Sequence, residues 1–173
     1  MNALPFCATE DSFNSQISRI YSLIIRENSE NWNLKENWTK SLELTHRKEI
    51  LLDNETCFIS FLFLFSQSFN APCLYLKIQD INGSSLNHDK LLKGLITVNK
   101  NLKDSDIINF ISPIEHPYDN YPLYWLHPCQ TEKFLMEFDS SLQANSIYIW
   151  LSTIGVLFHI KFPDAFYHEN PNQ

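Results

Sequence analysis

From residue 12 onward, Phe13, Ile17, Ile20 and Ile24 recur at helical spacing, with Tyr21 beside them. That period lines up one apolar stripe and predicts an amphipathic helix over residues 12–26. Residues 28–31 are a polar break, and the pattern then loses a clean period. Residues 32–35 and 38–44 predict strands, residues 46–49 a charged turn, and residues 50–52 the start of a further strand. Residues 58–65 are apolar apart from Ser60, which predicts a strand buried on both faces and central in a sheet. Ser68-Phe69-Asn70-Ala71-Pro72 has turn chemistry. Beyond it Leu74, Leu76 and Ile78 alternate with Cys73, Tyr75 and Lys77, as on a strand with two different faces. The two strands make a hairpin.

Asn82-Gly83 marks the next turn, and Leu86, Leu91, Leu92 and Leu95 predict a short helix. Residues 104–111 fit helix and strand equally. Pro113, Pro117, Pro122 and Pro128 then punctuate one stretch, which predicts an ordered, irregular loop. A broad apolar face formed by Ile147, Trp150, Leu151, Ile154 and Phe158 predicts a closing helix over residues 142–158. The order gives an α+β fold: an antiparallel sheet of about four strands with helices packed on one side. Residues 1–173 read as a single domain, with residues 1–11 frayed and disordered.

Composition narrows the function. Hydrophobic residues make up 44% of the 173 and aromatic residues 14%, with only three glycines, so the chain can build a dense aromatic core. Net charge is −7, from 13 basic and 20 acidic residues, and no Lys/Arg cluster stands out. Both facts disfavour nucleic acid as a partner. The longest strongly apolar run is residues 58–65, too short to span a bilayer. Glu10 and Asp11 precede any apolar stretch, unlike a secretory signal, so the sequons at Asn37, Asn54 and Asn82 read as chance. Irregular cysteine spacing fits a reducing, cytoplasmic setting.

Candidate chemistry centres on Tyr124-Trp125-Leu126-His127-Pro128-Cys129-Gln130-Thr131. Pro128 fixes its own φ and pushes His127 towards extended backbone. Downstream, Phe134, Leu135 and Phe138 have helical spacing, with Thr131 and Glu132 suited to the first turn. A thiol at a helix N-terminus is biased towards thiolate. The bland alternative is that a cysteine simply fills space, which is how Cys57 and Cys73 read in their apolar runs. No Cys-x-x-Cys or His-x-x-x-His pair suggests a metal, and no glycine-rich loop could cradle a phosphate. No cofactor is implied. A cysteine hydrolase would need His116, His127 or His159 as base. A non-catalytic module adding a strand to a partner is a third option.

The stretch Ile111-Ser112, Glu115-His116-Pro117, Pro122, Tyr124 and Leu126 to Thr131 resembles the active-site segment of the autophagy ubiquitin-like-conjugating enzymes. The hairpin from Phe65 to Leu76, Asn82-Gly83 with Leu86, and Trp150-Leu151-Ser152 with Gly155 are similar to the same family. The resemblance covers roughly residues 57–163. It implies a ubiquitin-conjugating-enzyme-like core and a transferase that carries a modifier as a thioester on Cys129. The implied partners are autophagy-related protein seven as activating enzyme, autophagy-related protein twelve as modifier and autophagy-related protein five as acceptor. His127 would orient the acceptor lysine or brace the loop. Phe69 stands where the family commonly has tyrosine, so the ring is kept and the hydroxyl lost. The His-Pro-Asn motif of ubiquitin-conjugating enzymes is absent here. Asn120 is the available asparagine, and Thr131 reads as a helix cap that could also contact the thioester.

Overall fold

The computed structural model describes residues 9–27, 29–102, 110–127 and 146–168, with backbone alone at Ser146 and His168. Helix α1 spans Glu10–Arg26. It starts where Thr9 accepts the Ser12 amide at 3.2 Å, and Glu10 and Asp11 sit in its first turn, where the positive end of the dipole favours acids. The sheet follows, with β1 Trp32–Glu36, β2 Leu42–Leu52, β3 Glu55–Ser66 and β4 Ala71–Asp80. Helix α2 is His88–Val98, capped by Asn87. Strands β5, Ile111–Glu115, and β6, Pro122–Leu126, come next. Helices α3, Ser146–Phe158, and α4, Asp164–His168, close the described chain. Among the described residues no helix is long and apolar enough to cross a membrane.

The sheet order is β1-β2-β3-β4-β6-β5, antiparallel throughout. Alternation along β3 separates two cores. Ile59, Phe61, Phe63 and Phe65 face the helices, where they join Phe13 and Ile17 of α1, Leu91 and Leu95 of α2, and Trp150 and Phe158 of α3. Fully burying one such side chain is worth about 1.5–3 kcal/mol, so this layer dominates the stability. Gly94 lets α2 lie close on the sheet, since a Cβ there would come within 2.9 Å of Ile59 Cδ1. Leu62 and Leu64 face the opposite way, against Cys73, Tyr75 and Leu123. Ile114, Tyr118, Tyr121 and Trp125 pack on that second cluster. The β5–β6 hairpin therefore curls back over the face of the sheet that the helices leave bare.

Four expectations change. The sheet has six described strands, not about four. Residues 46–49 belong to β2, whose alternating burial a charge-rich segment concealed. The proline stretch contains β5 and β6. Pro113 is tolerated because β5 is an edge strand, and Pro122 because it opens β6. Residues 9–11 cap and begin α1; residues 1–8 lie outside the described residues, as do 103–109 and 142–145. The five-residue α4 was not expected at all.

Candidate functional site

Strand β6 is held along β4 by the pairs Leu74 with Leu126, Tyr75 with Trp125 and Leu76 with Tyr124. At its end the His127 amide donates to the Phe110 carbonyl at 3.1 Å, which fixes the backbone where the strand exits. The β3–β4 turn meets it there. Asn70, at φ 49°, closes that turn and its amide donates to the Gln67 carbonyl. The closure sets the Phe69 ring 5.4 Å from Trp125 and 5.8 Å from His127. Trp125 and His127 are 5.2 Å apart, and Tyr75 stacks on Trp125 at 6.2 Å. Phe69 stays 41% exposed, so the cluster opens to solvent on one side. Tilted and edge-on rings at these distances hold one another with modest energy, about 0.5–1.5 kcal/mol a pair.

The other end of β6 is fastened differently. His116 is buried, with Nε2 2.9 Å from a carboxylate oxygen of Glu43 on β2. Its Nδ1 accepts the amides of Tyr118 and Asp119 at 3.3 and 3.0 Å. Those partners assign the proton to Nε2, so the ring donates to Glu43. The second Glu43 oxygen accepts from the Thr45 hydroxyl at 3.1 Å. Tyr121 stacks on His116 at 4.6 Å, and Lys35 of β1 pairs with Asp119 at 2.8 Å. These contacts clasp the β5–β6 turn to β1 and β2, which lie across the sheet from β5.

The sequence-derived candidates separate accordingly. His127 and Phe69 come together, although nearly sixty residues separate them in the chain. Asn120 lies in the clasped turn instead. It is exposed, its φ is 53°, and its amide donates to the His116 carbonyl at 3.1 Å. A five-residue strand at roughly 3.3 Å per residue separates it from His127, on the order of 17 Å. Cys129 and Thr131 lie outside the described residues. Cys57 and Cys73 are buried core cysteines; burial raises both thiols, and pushes that of Cys73 up to about 12. Neither is disposed to act as a nucleophile. Trp125 lay within the segment singled out in the sequence but was given no role there, and Glu43 was not picked out. Trp125 stands beside His127 in an alternating strand, a signal that could have found it. Glu43 meets His116 only through the fold.

Residues 18–165 match the family described as autophagocytosis associated protein, active-site domain. Among curated relatives, the chain is 28% identical over 120 residues to ubiquitin-like-conjugating enzyme ATG10 of Arabidopsis thaliana, covering 65% of this chain and 53% of that one. It is 29% identical over 114 residues to the Dictyostelium discoideum protein of the same name, covering 58% and 50%. The human protein of that name is 28% identical over 105 residues, covering 58% and 48%. The chain thus spans about half the length of the curated relatives it matches. The crystal structure of the autophagic E2 Atg10 superposes with a TM-score of 0.62 at 19% identity, covering 89% of this chain and 98% of that one, which makes the fold a shared one.

Proposed function

Because the chain belongs to the autophagocytosis-associated active-site domain family, we propose that it is a ubiquitin-like-conjugating enzyme of autophagy that carries a modifier as a thioester on Cys129. The match across residues 18–165 carries this reading. The fold supports it, since β6 runs to a half-open ring cluster at His127, two residues before Cys129. The modifier is autophagy-related protein twelve, delivered by autophagy-related protein seven. The acceptor is a lysine of autophagy-related protein five, and the product serves autophagosome formation in the cytoplasm.

Two acyl transfers make up the reaction. The Cys129 thiolate attacks the carbonyl carbon of the modifier's C-terminal glycine, held as a thioester on the activating enzyme. A new C–S bond forms, the old one breaks, and the activating enzyme recovers its thiolate. The acceptor amine then attacks the same carbon, the C–S bond breaks, and the amide forms as the nitrogen sheds a second proton to solvent and the Cys129 thiolate leaves. The amine must lose its proton first, since a lysine has a reference pKa of about 10.4. His127 orients that amine or braces the loop, and the exposed Phe69 edge borders its approach. Asn120, held in the clasped turn, has a turn role in this scheme.

The test is a loading reaction with purified chain, activating enzyme, ATP and modifier. Wild type forms an adduct that reductant removes. Cys129→Ser forms one that resists reductant, and Cys129→Ala forms none. An unchanged adduct on Cys129→Ala overturns the reading, and so does an adduct formed without ATP.

A further inference from the structure

Strand β1 ends, at its N-terminal side, with Trp32 opposite His46, whereas β2 continues to Leu52. The Arg47 amide donates to the Asn31 carbonyl at 2.9 Å, the last bond on that side among the described residues. Backbone groups alternate along a strand, so those of Glu49 and Leu51 point the same way as those of Arg47. Among the described residues no strand pairs with them there. The side chain of Leu51 is 63% exposed. An interior strand of the sheet thus has an edge open, among the described residues, over its last five residues, the kind of edge that invites an added strand.

A groove of about 440 Å³ runs beside this edge, bounded across by His159 and Lys161. Trp32 and His46 line it, their rings 4.5 Å apart. Lys48 reaches over to donate to the His159 carbonyl at 2.9 Å. Burial, and then the neighbouring Lys161 charge, hold the Lys48 ammonium below its ordinary range. Among the described residues neither lysine has an ion-pair partner. Burial and then Lys48 hold His46 down at about 4, so it is neutral at pH 7. Arg47 also borders the groove, but it alternates with Lys48 and its guanidinium lies 3.8 Å over the Phe58 ring, so the positive charge on the Lys48 face belongs to the lysines. Two carboxylates also border the groove. Glu49 alternates with Lys48 and projects from the other face of the strand. Glu30 is exposed and bridges to neither lysine. In a chain of net charge −7, two like charges brought together without a counter-charge mark a place for an acid from outside.

We propose that this edge takes up an extended acidic segment of a partner protein, added as a strand beside residues 48–52. Its main chain bonds the outward groups of Glu49 and Leu51, one carboxylate sits against Lys48 and Lys161, and an apolar side chain lies beside Leu51. Main-chain bonds supply the hold and the lysines supply the selectivity. The surface is independent of the role assigned to Cys129.

The experiment titrates a short capped peptide of alternating valine and aspartate into the isotopically labelled full chain, followed by nuclear magnetic resonance. The amides of Glu49 and Leu51 are expected to shift and to gain protection from exchange. A matched valine–lysine peptide is expected not to bind. Lys161→Glu, on an exposed residue, should weaken the acidic peptide about tenfold. Leu51→Pro should abolish binding at unchanged melting temperature, because the amide it removes lies outside the β2–β3 ladder. Should that variant not fold, Lys161→Glu decides alone. Equal binding of both peptides, no shift at these amides, or full affinity in Lys161→Glu overturns the proposal. Self-association of the chain through this edge in sedimentation also overturns it, by making a second copy the occupant.

Discussion

The two ends of β6 are built from opposite materials. At the turn end, a buried imidazole satisfies a buried carboxylate and two backbone amides at once, and an ion pair closes the outside. At the exit end, contacts among Phe69, Trp125, Tyr75 and His127 pack the strand's last side chains, with only Tyr75 buried and Phe69 the most exposed of the four. Directional bonds with buried partners are costly to break and define one geometry. Ring contacts are weaker and tolerate sliding. The hairpin is therefore anchored far from the proposed thiol and adaptable next to it. Under the proposed function, a carrier that must meet an activating enzyme and then an acceptor is served by that division.

The hardest blow to this contrast is His116→Ala. It leaves Glu43 buried without its donor and the Tyr118 and Asp119 amides without their acceptor. We expect a loss of about 3 kcal/mol, read by urea denaturation. A loss under about 1 kcal/mol would mean that the clasp is ornamental.

Acid loosens the molecule from a third place, and that effect must be separated from the clasp. Burial holds His46 at about 4 in the folded chain, against an unfolded value of about 6.5. Between those values the unfolded chain binds the proton and the folded chain does not. Stability is therefore complete above pH 6.5 and is lost as pH falls towards 4, by roughly 3 kcal/mol. His46→Gln should flatten this limb in a pH series of thermal melts. A limb that persists unchanged would assign it to other groups.

The exit end should show the reverse signature. Phe69→Ala is expected to cost only about 1 kcal/mol of stability, because the ring is partly exposed. Under the proposed function, Phe69→Ala and His127→Ala both slow single-turnover discharge to the acceptor more than loading. Equal slowing of both steps would make the cluster a brace for the loop.

Much of this arrangement was legible before the fold was known, where chemistry was local. The helical stripe from Phe13 to Ile24, the two-faced β4 and the doubly buried β3 follow from residues that neighbour one another along the chain. Residues 46–49 misled because a strand beside a half-open edge keeps its charged side chains, and charge density mimics a turn. Pro113 misled because proline excludes a central strand and not an edge one. At the site, the His127 segment was visible as a motif, and its contact with Phe69 was not, since only the sheet brings them together. Asn120 illustrates the converse. An asparagine near the motif in sequence proves to be a left-handed turn residue at the far end of the strand.

The most direct test of the carrier reading is peptide mass spectrometry of the chain after loading with modifier under non-reducing conditions. The modifier's C-terminal glycine should be found joined through sulfur to the peptide containing Cys129. Its attachment at Cys7, Cys57 or Cys73, or at a lysine alone, would contradict the assignment.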